Sequence, residues 1–332
     1  MLWIRSWLNN RFQRVCLEGI TSEWDEVLSG VPQGSVLGPL LFLMYINDLD
    51  DTIKSSLLKF ADDTKVLRMI RVEDNKQLQT DALDSLLKWS QDWQMTFNTD
   101  KCKVMHIGGC NQPCMDYYMK GHKLGKYHEE KDLDINVSDD LKVGTQCNQA
   151  FSKANRMLDI LKQNIVNKTP LIMVNLYNTL IWLHVEYCVP AWSPYYVKDK
   201  NTLERIQHRF TKLIPGLQSL TYEERLARLG LWTLKERRNR ADLIEVFKMA
   251  NNLSPIPLSN YFELHTDGRT RGHSLKLIKH RCKSEVRQHF FSERVVNRWN
   301  KLDQDTISVK TIHGFKTKLE KERSKKMGLF LD

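Results

Sequence analysis

No run in this 332-residue chain is apolar for long enough to span a bilayer: the one stretch worth testing, Val36 to Ile46, is about half the roughly 20 residues required and contains Gly38 and Pro39. Cysteine is sparse. The seven residues Cys16, Cys102, Cys110, Cys114, Cys147, Cys188 and Cys282 are an odd number scattered over a large chain, which excludes a disulfide-stapled secreted scaffold and suits a reducing compartment. Residues Met1 to Phe12 carry Arg5 and Arg11 among apolar residues, with no h-region or small-residue cleavage site after them. The expectation is an intracellular protein, of cytoplasm or nucleus, with no membrane partner. Neither the P-loop glycine spacing nor G-x-G-x-x-G occurs, and there is no internal repeat. Hydrophobic residues at 41% and charged residues at 27% lie near the globular averages of about 45–50% and 25%, so a disordered or collagen-like chain is also excluded. The length suits two or three folded units.

What is present is unevenly placed. The net charge of +10 resides wholly in Thr266 to Lys326, where 17 Lys/Arg face 7 Asp/Glu, leaving 33 of each sign elsewhere. A cationic patch of this kind favours phosphate-bearing partners through counterion release, and the bland alternative is a solvated helix face. His273, His280, His289, Phe290, Phe291, Trp299 and Phe315 lie among these cations. Aromatics among cations suit single-stranded nucleic acid, while Phe290, Val295, Val296 and Trp299 also read as the core of a small helical domain.

Along the chain, Arg14 to Leu28 reads as two short strands around a turn at about Gly19 to Glu23. The segment Ser29-Gly30-Val31-Pro32-Gln33-Gly34-Ser35-Val36-Leu37-Gly38-Pro39 is a loop that feeds a buried apolar helix over Leu40 to Leu49. Leu57 to Ala61 and Thr64 to Met69 read as strands joined by a tight Asp62-Asp63 turn. The spacing of Leu78, Ala82, Leu86, Trp89 and Trp93 predicts an amphipathic helix over Asn75 to Trp93. Met95 to Ile107 reads as extended with a turn at Asn98 to Lys101, and Gly108 to Gly144 as short hairpins and linker. Steps of three and four then mark helices through Phe151 to Ile165, Leu171 to His184 and Leu203 to Leu213, followed by a helical stretch from Tyr222 to Ala250 and a linker at Asn251 to Pro257.

Two acids side by side at a hairpin tip disfavour each other's ionisation, and a divalent cation is the usual remedy; an exposed turn is the alternative, since Asp is a common turn former. Gly30, Gly34 and Gly38 bring three glycines into nine residues, where backbone must approach a ligand closely or take positive φ. His106, Cys110, Cys114, His122 and His128 allow a zinc site to be drawn. The cysteine pair occurs only once, without a second pair at finger spacing, so no zinc is expected.

In order and spacing, the Ser29 to Pro39 loop, Tyr45-Ile46-Asn47-Asp48-Leu49 and Phe60-Ala61-Asp62-Asp63-Thr64 closely resemble the reverse transcriptase of non-LTR (LINE-type) retrotransposons. Trp93 to Gly108 looks like the family's next motif. Ser152 to Met157, Glu186-Tyr187-Cys188, Ala191 to Pro194, Tyr222 to Leu226, Arg271 to Leu275 and Val296 to Asn300 resemble its downstream region. The resemblance implies an α+β fold: a partial right-hand polymerase palm, an antiparallel sheet with helices, over 1–109; a primer-gripping hairpin and linker over 110–145; a helical thumb-like region over 146–215; and a basic, mainly helical region over 216–332. It implies Asp62 as the principal Mg²⁺ ligand with Asp63 as partner, Phe60 beside the primer end, Gln33 and Gly34 lining incoming nucleotide and template, and Lys101 as a candidate general acid near the triphosphate. The implied chemistry is two-metal nucleotidyl transfer on an RNA template and DNA primer with deoxynucleotides.

The family's other essential aspartate comes from a D-x-x-x-A-F-D type strand before the glycine loop, and upstream of Ser29 the only acids are Glu18, Glu23, Asp25 and Glu26. The expectation is a sequence that starts partway through the palm and is inactive alone. The alternatives are a nucleic-acid-binding protein without catalysis and a retrotransposon fragment without a cellular role. Asp134, in Lys131 to Ile135, stands where family members usually carry Gly, which strains a turn.

Overall fold

The computed structural model describes residues 2–70, 78–108, 115–265 and 272–325, and divides them into two compact units, Met1–Tyr127 and His128–Asp332. Both strands and helices are present, as an α+β fold requires. Among the described residues no helix is long and apolar enough to cross a membrane.

The first unit opens with helix α1 (Leu2–Leu8) and a long hairpin, in which β1 (Arg11–Gln13) pairs with β4 (Asp25–Val27) and β2 (Cys16–Leu17) with β3 (Ile20–Thr21). The hairpin turns at Glu18-Gly19, slightly earlier than the sequence suggests, because both residues take the positive φ of a tight two-residue turn. Helix α2 (Leu37–Tyr45) follows the glycine loop and passes into a 3-10 turn, Asn47–Asp50. The helix expected to be buried over Leu40 to Leu49 is buried only in part: Ile46 and Leu49, beyond the end of α2, join the core and Phe42 packs against it, while Leu40, Leu43 and Met44 remain exposed. A nearly all-apolar helix has no single face that sequence can mark as inward.

Next come the antiparallel pair β5 (Ser56–Phe60) and β6 (Asp63–Leu67), and a π-helical turn Gln79–Asp84 running into α3 (Ser85–Asp92). Of the expected inward positions, Ala82, Leu86 and Trp89 are buried and Leu78 is half-buried, while Trp93, past the end of α3, is exposed; Asn75 to Gln77 lie outside the described residues. Strand β7 (Lys103–Val104) pairs in parallel with β10 (Gly125–Lys126), whereas β8 (Tyr118–Met119) and β9 (His122–Lys123) form an antiparallel hairpin. A modest core of Ile46, Leu49, Leu86, Trp89, Tyr117, Met119 and Leu124 holds this unit.

The second unit begins with the hairpin β11 (Glu129–Asp132) and β12 (Ile135–Ser138). Its first core is built by α4 (Gly144–Asn164), α5 (Pro170–Leu176), a π-helical turn Tyr177–Ile181, α6 (Trp182–Glu186), α7 (Val189–Trp192), α8 (Val197–Lys212) and α9 (Tyr222–Leu229). The π turn matters for register. Met173, Tyr177, Ile181 and Val185 face inward at steps of four, so Leu171, expected on that face, is exposed. The helical stretch expected from Tyr222 to Ala250 is two helices, α9 and α10 (Leu234–Ala250), because Gly230 takes φ +63° and each helix starts at its own capping box, Thr221 with Glu224 and Thr233 with Glu236.

A second core holds Trp232, Val246, Phe247, Phe291, Val295, Val296, Trp299, Phe315 and Leu319. After α11 (Glu285–His289), which buries no residue, it joins α10 to α12 (Phe291–Arg294), α13 (Val296–Asn300), α14 (Gln304–Ile307) and α15 (Ile312–Lys325). Trp299, Phe291, Phe315 and His273 are therefore core residues rather than a stacking surface for nucleic acid, whereas Phe290 is partly exposed. Asp242 and Arg294 form a buried pair with two 2.8 Å contacts, and the guanidinium also donates to the Pro190 carbonyl at 3.0 Å. Removing one partner of such a pair costs about 3–5 kcal/mol, because the other charge stays buried.

Candidate active site

The β5–β6 hairpin closes in two residues. Phe60 pairs with Asp63, so the turn is Ala61-Asp62, one residue earlier than the Asp62-Asp63 turn expected, and Asp63 already belongs to β6. Only the first central residue, Ala61, has positive φ, at +51°. Glycine is the usual residue there, and alanine in the left-handed region costs about 1–2 kcal/mol. The hairpin thus carries local strain beside its two carboxylates.

Alternation along β5 explains what the tip presents. Leu57 and Lys59 point to the half-buried face, while Leu58 and Phe60 stand 53% and 61% exposed. Lys59 anchors the inner face: its Nζ donates to the carbonyls of Ile46 (3.2 Å) and Asn47 (2.9 Å) and to Asp50 Oδ1 (2.5 Å). The hydrogen bond from Lys59 leads the causes that hold the Asp50 carboxyl below the usual carboxylate range. Asp62 and Asp63 are both exposed, and among the described residues neither has a hydrogen-bonded or ion-paired side chain.

The glycine loop is shaped by backbone conformation. Gly30 and Gly34 take φ +81° and +78°, which side-chain-bearing residues rarely adopt. The Gly38 amide donates to Ser35 Oγ at 3.0 Å, and Arg11 clasps the loop from the first hairpin by donating to the Gly30 carbonyl at 2.6 Å. Gln33 and Gly34 are exposed. Lys101 is exposed at the end of a 3-10 turn, Thr99–Lys101, whose first amides are capped when Asn98 Oδ1 accepts from Asp100 N at 3.2 Å.

The structure therefore brings Asp62, Asp63 and Phe60 together at one hairpin tip. Among the described residues no hydrogen bond or ion pair joins Gln33, Lys101 or the aspartates to one another. Sequence reasoning missed Lys59 and Arg11, since an anchor reaching across 12 or 19 residues leaves no periodic signal. Asp62 and Asp63 could supply two of the roughly six oxygens that Mg²⁺ takes, the remainder falling to water and substrate phosphate. No group of three metal-ligating side chains occurs among the described residues, and Cys110 and Cys114 lie outside them.

Residues 1–148 match the family model described as reverse transcriptase (RNA-dependent DNA polymerase). The chain is 28% identical over 230 residues to the RNA-directed DNA polymerase from mobile element jockey of Drosophila melanogaster, an alignment covering 65% of this chain and 25% of that protein. The jockey polymerase of Drosophila funebris is 29% identical over 142 residues, covering 40% and 15% of the two chains. A probable RNA-directed DNA polymerase from transposon X-element of Drosophila melanogaster is 36% identical over 104 residues, covering 30% and 12%. The chain thus spans a quarter or less of the length of these relatives. With the glycine loop and the double-aspartate hairpin inside the matched segment, residues 1–148 carry a reverse transcriptase match, and the relatives this chain resembles are polymerases of non-LTR (LINE-type) elements.

Proposed function

We propose that this chain is the part of a retrotransposon polymerase that carries one of its catalytic carboxylate pairs, acting on an RNA template, a DNA primer and deoxynucleotides. The observation that carries the reading is the Asp62-Asp63 pair at the tip of a strained two-residue hairpin, within the segment matched by the reverse transcriptase model. In this reading 1–109 is palm, 110–145 the primer-gripping hairpin and linker, 146–215 thumb, and 216–332 a basic region for nucleic acid. Asp62 and Asp63 hold Mg²⁺, which supplies charge neutralisation for phosphoryl transfer when bound. Phe60, exposed beside them, packs against the primer end; Gln33 and Gly34 line the nucleotide and template; Lys101 donates a proton to the leaving pyrophosphate. Such substrates place the work inside the cell, in cytoplasm or nucleus.

A polypeptide of these 332 residues by itself is expected to bind Mg²⁺ weakly and to extend no primer. An adjacent pair of exposed acids is a poor site for a small, strongly hydrated ion, and two ions about 3.5–4 Å apart need further bridging carboxylates. The test is primer extension on an RNA template with and without Mg²⁺. No product above background is expected, and Mg²⁺-dependent product that disappears in Asp62→Ala would show the chain to be a competent polymerase.

A second reading, nucleic-acid binding without catalysis, is favoured by one observation. Lys279, Arg281 and Lys283 are exposed together just ahead of α11.

A further inference from the structure

An open pocket of about 440 Å³ lies at the C-terminal end of α2, lined by Leu41, Met44, Tyr45, Asn47, Asp48 and Trp93. All six residues belong to the first unit. The rings of Tyr45 and Trp93 meet at 75° with centroids 5.3 Å apart, and Trp89 lies 6.3 Å from each. The corner is held in place: the Tyr45 hydroxyl donates to the Trp93 carbonyl, and the Trp89 indole donates to Asp48 Oδ1 at 3.0 Å. Among the described residues the other Asp48 oxygen has no hydrogen-bond partner.

Three features of this lining favour positive charge. Aromatic faces carry the negative lobe of the ring quadrupole and attract cations within about 6 Å. Asp48 adds a carboxylate. The end of α2 adds the negative pole of a helix dipole. The neighbouring carbonyls of Ile46 and Asn47 already hold one ammonium, that of Lys59, at 3.2 and 2.9 Å. Leu41 and Met44 offer an apolar wall along which an aliphatic stem can lie.

We propose that this pocket binds the cationic side chain of a partner polypeptide, an ammonium group on an aliphatic stem such as lysine or its methylated forms. The inference is independent of polymerase activity. It is tested by titrating the 332-residue chain, by calorimetry and saturation-transfer NMR, with Nα-acetyl-trimethyllysine methylamide and with the neutral analogue in which a tert-butyl carbon replaces the nitrogen. The cationic probe is expected to bind about fivefold or more tightly than its neutral isostere. Trp93→Leu and Asp48→Asn should each remove most of that difference. Asp48→Asn keeps an oxygen to accept from the Trp89 indole, so a loss in that variant reports on charge and not on misfolding. Equal binding of the two probes, no binding of the cationic probe, or variants that leave the difference unchanged would overturn the proposal.

Discussion

His128 Nδ1 lies 2.6 Å from Asp139 Oδ2, and this hydrogen bond, with the carboxylate charge behind it, raises the imidazole pKa above its ordinary 6.5. A group whose folded pKa is raised contributes stability that is complete below the unfolded value and is lost as pH climbs through the folded one. The His128 contribution should therefore be full below pH 6.5 and disappear as pH rises past that value through the raised folded-state one. The pair is exposed and its energetic effect is small, so the measurement is the His128 titration by NMR. A midpoint above 6.5 is expected, returning to near 6.5 in Asp139→Asn; a midpoint at or below 6.5 in the unaltered protein would remove this ion pair from the account. The sequence offered His128 only as one end of an unconvincing zinc arrangement. Its partner comes from the other end of the β11–β12 hairpin, where the Asp139 amide also donates to the His128 carbonyl at 2.9 Å, so the pairing exists only once the hairpin has closed.

At the scale of elements, two-residue turns recur, at Glu18-Gly19, Ala61-Asp62, Lys120-Gly121 and Leu133-Asp134. Two of the four place glycine where φ is positive. Leu133 and Asp134 have no such help, at φ +44° and +66°. The strain expected at Asp134 from the sequence is thus present, and Leu133 shares it, while Asp134 is compensated by Lys131 at 2.5 Å and Lys153 at 3.0 Å. Leu133→Asn, which tolerates the left-handed region, is expected to raise stability by on the order of 0.5–1 kcal/mol. Urea unfolding followed by circular dichroism would detect this as a higher midpoint at unchanged slope, and a lower midpoint would mean that Leu133 contributes packing that outweighs its strain. Helix boundaries were legible wherever a chemical signal marks them. Thr221-x-x-Glu224 and Thr233-x-x-Glu236 each mark a helix start, and the second is the local signal that divides the Tyr222 to Ala250 stretch. The π turn at Tyr177–Ile181 has no comparable signature, and it is what set the inward face of the helix around it.

At the scale of the whole molecule, the charge excess of Thr266 to Lys326 is partly consumed inside the second unit. Arg294 serves Asp242, Arg323 pairs with Glu236 and Arg287 reaches Glu293. Among the described residues, the exposed set Lys279, Arg281 and Lys283 is one group left poised for phosphate. If these three contact single-stranded RNA, the logarithm of affinity should fall with the logarithm of salt concentration with a slope near −2 from this set alone, at about 0.7 per phosphate contact. Replacing all three by Gln should reduce the measured slope by about that amount; binding indifferent to salt, or a slope unchanged in the triple variant, would exclude this loop as the contact. The order and spacing of the Ser29 to Pro39 loop and the Phe60 to Thr64 hairpin determined the family, because positive-φ glycines and a double-aspartate turn are local requirements written in consecutive residues. The sequence also determined most of the helices of the second unit, where apolar periodicity reports a single buried face. Only tertiary structure decided which cations are free, which aromatics are core, and that α2 leaves Leu40, Leu43 and Met44 uncovered. Burial and pairing depend on partners far away in the chain, and no local pattern encodes what another segment will bring against it.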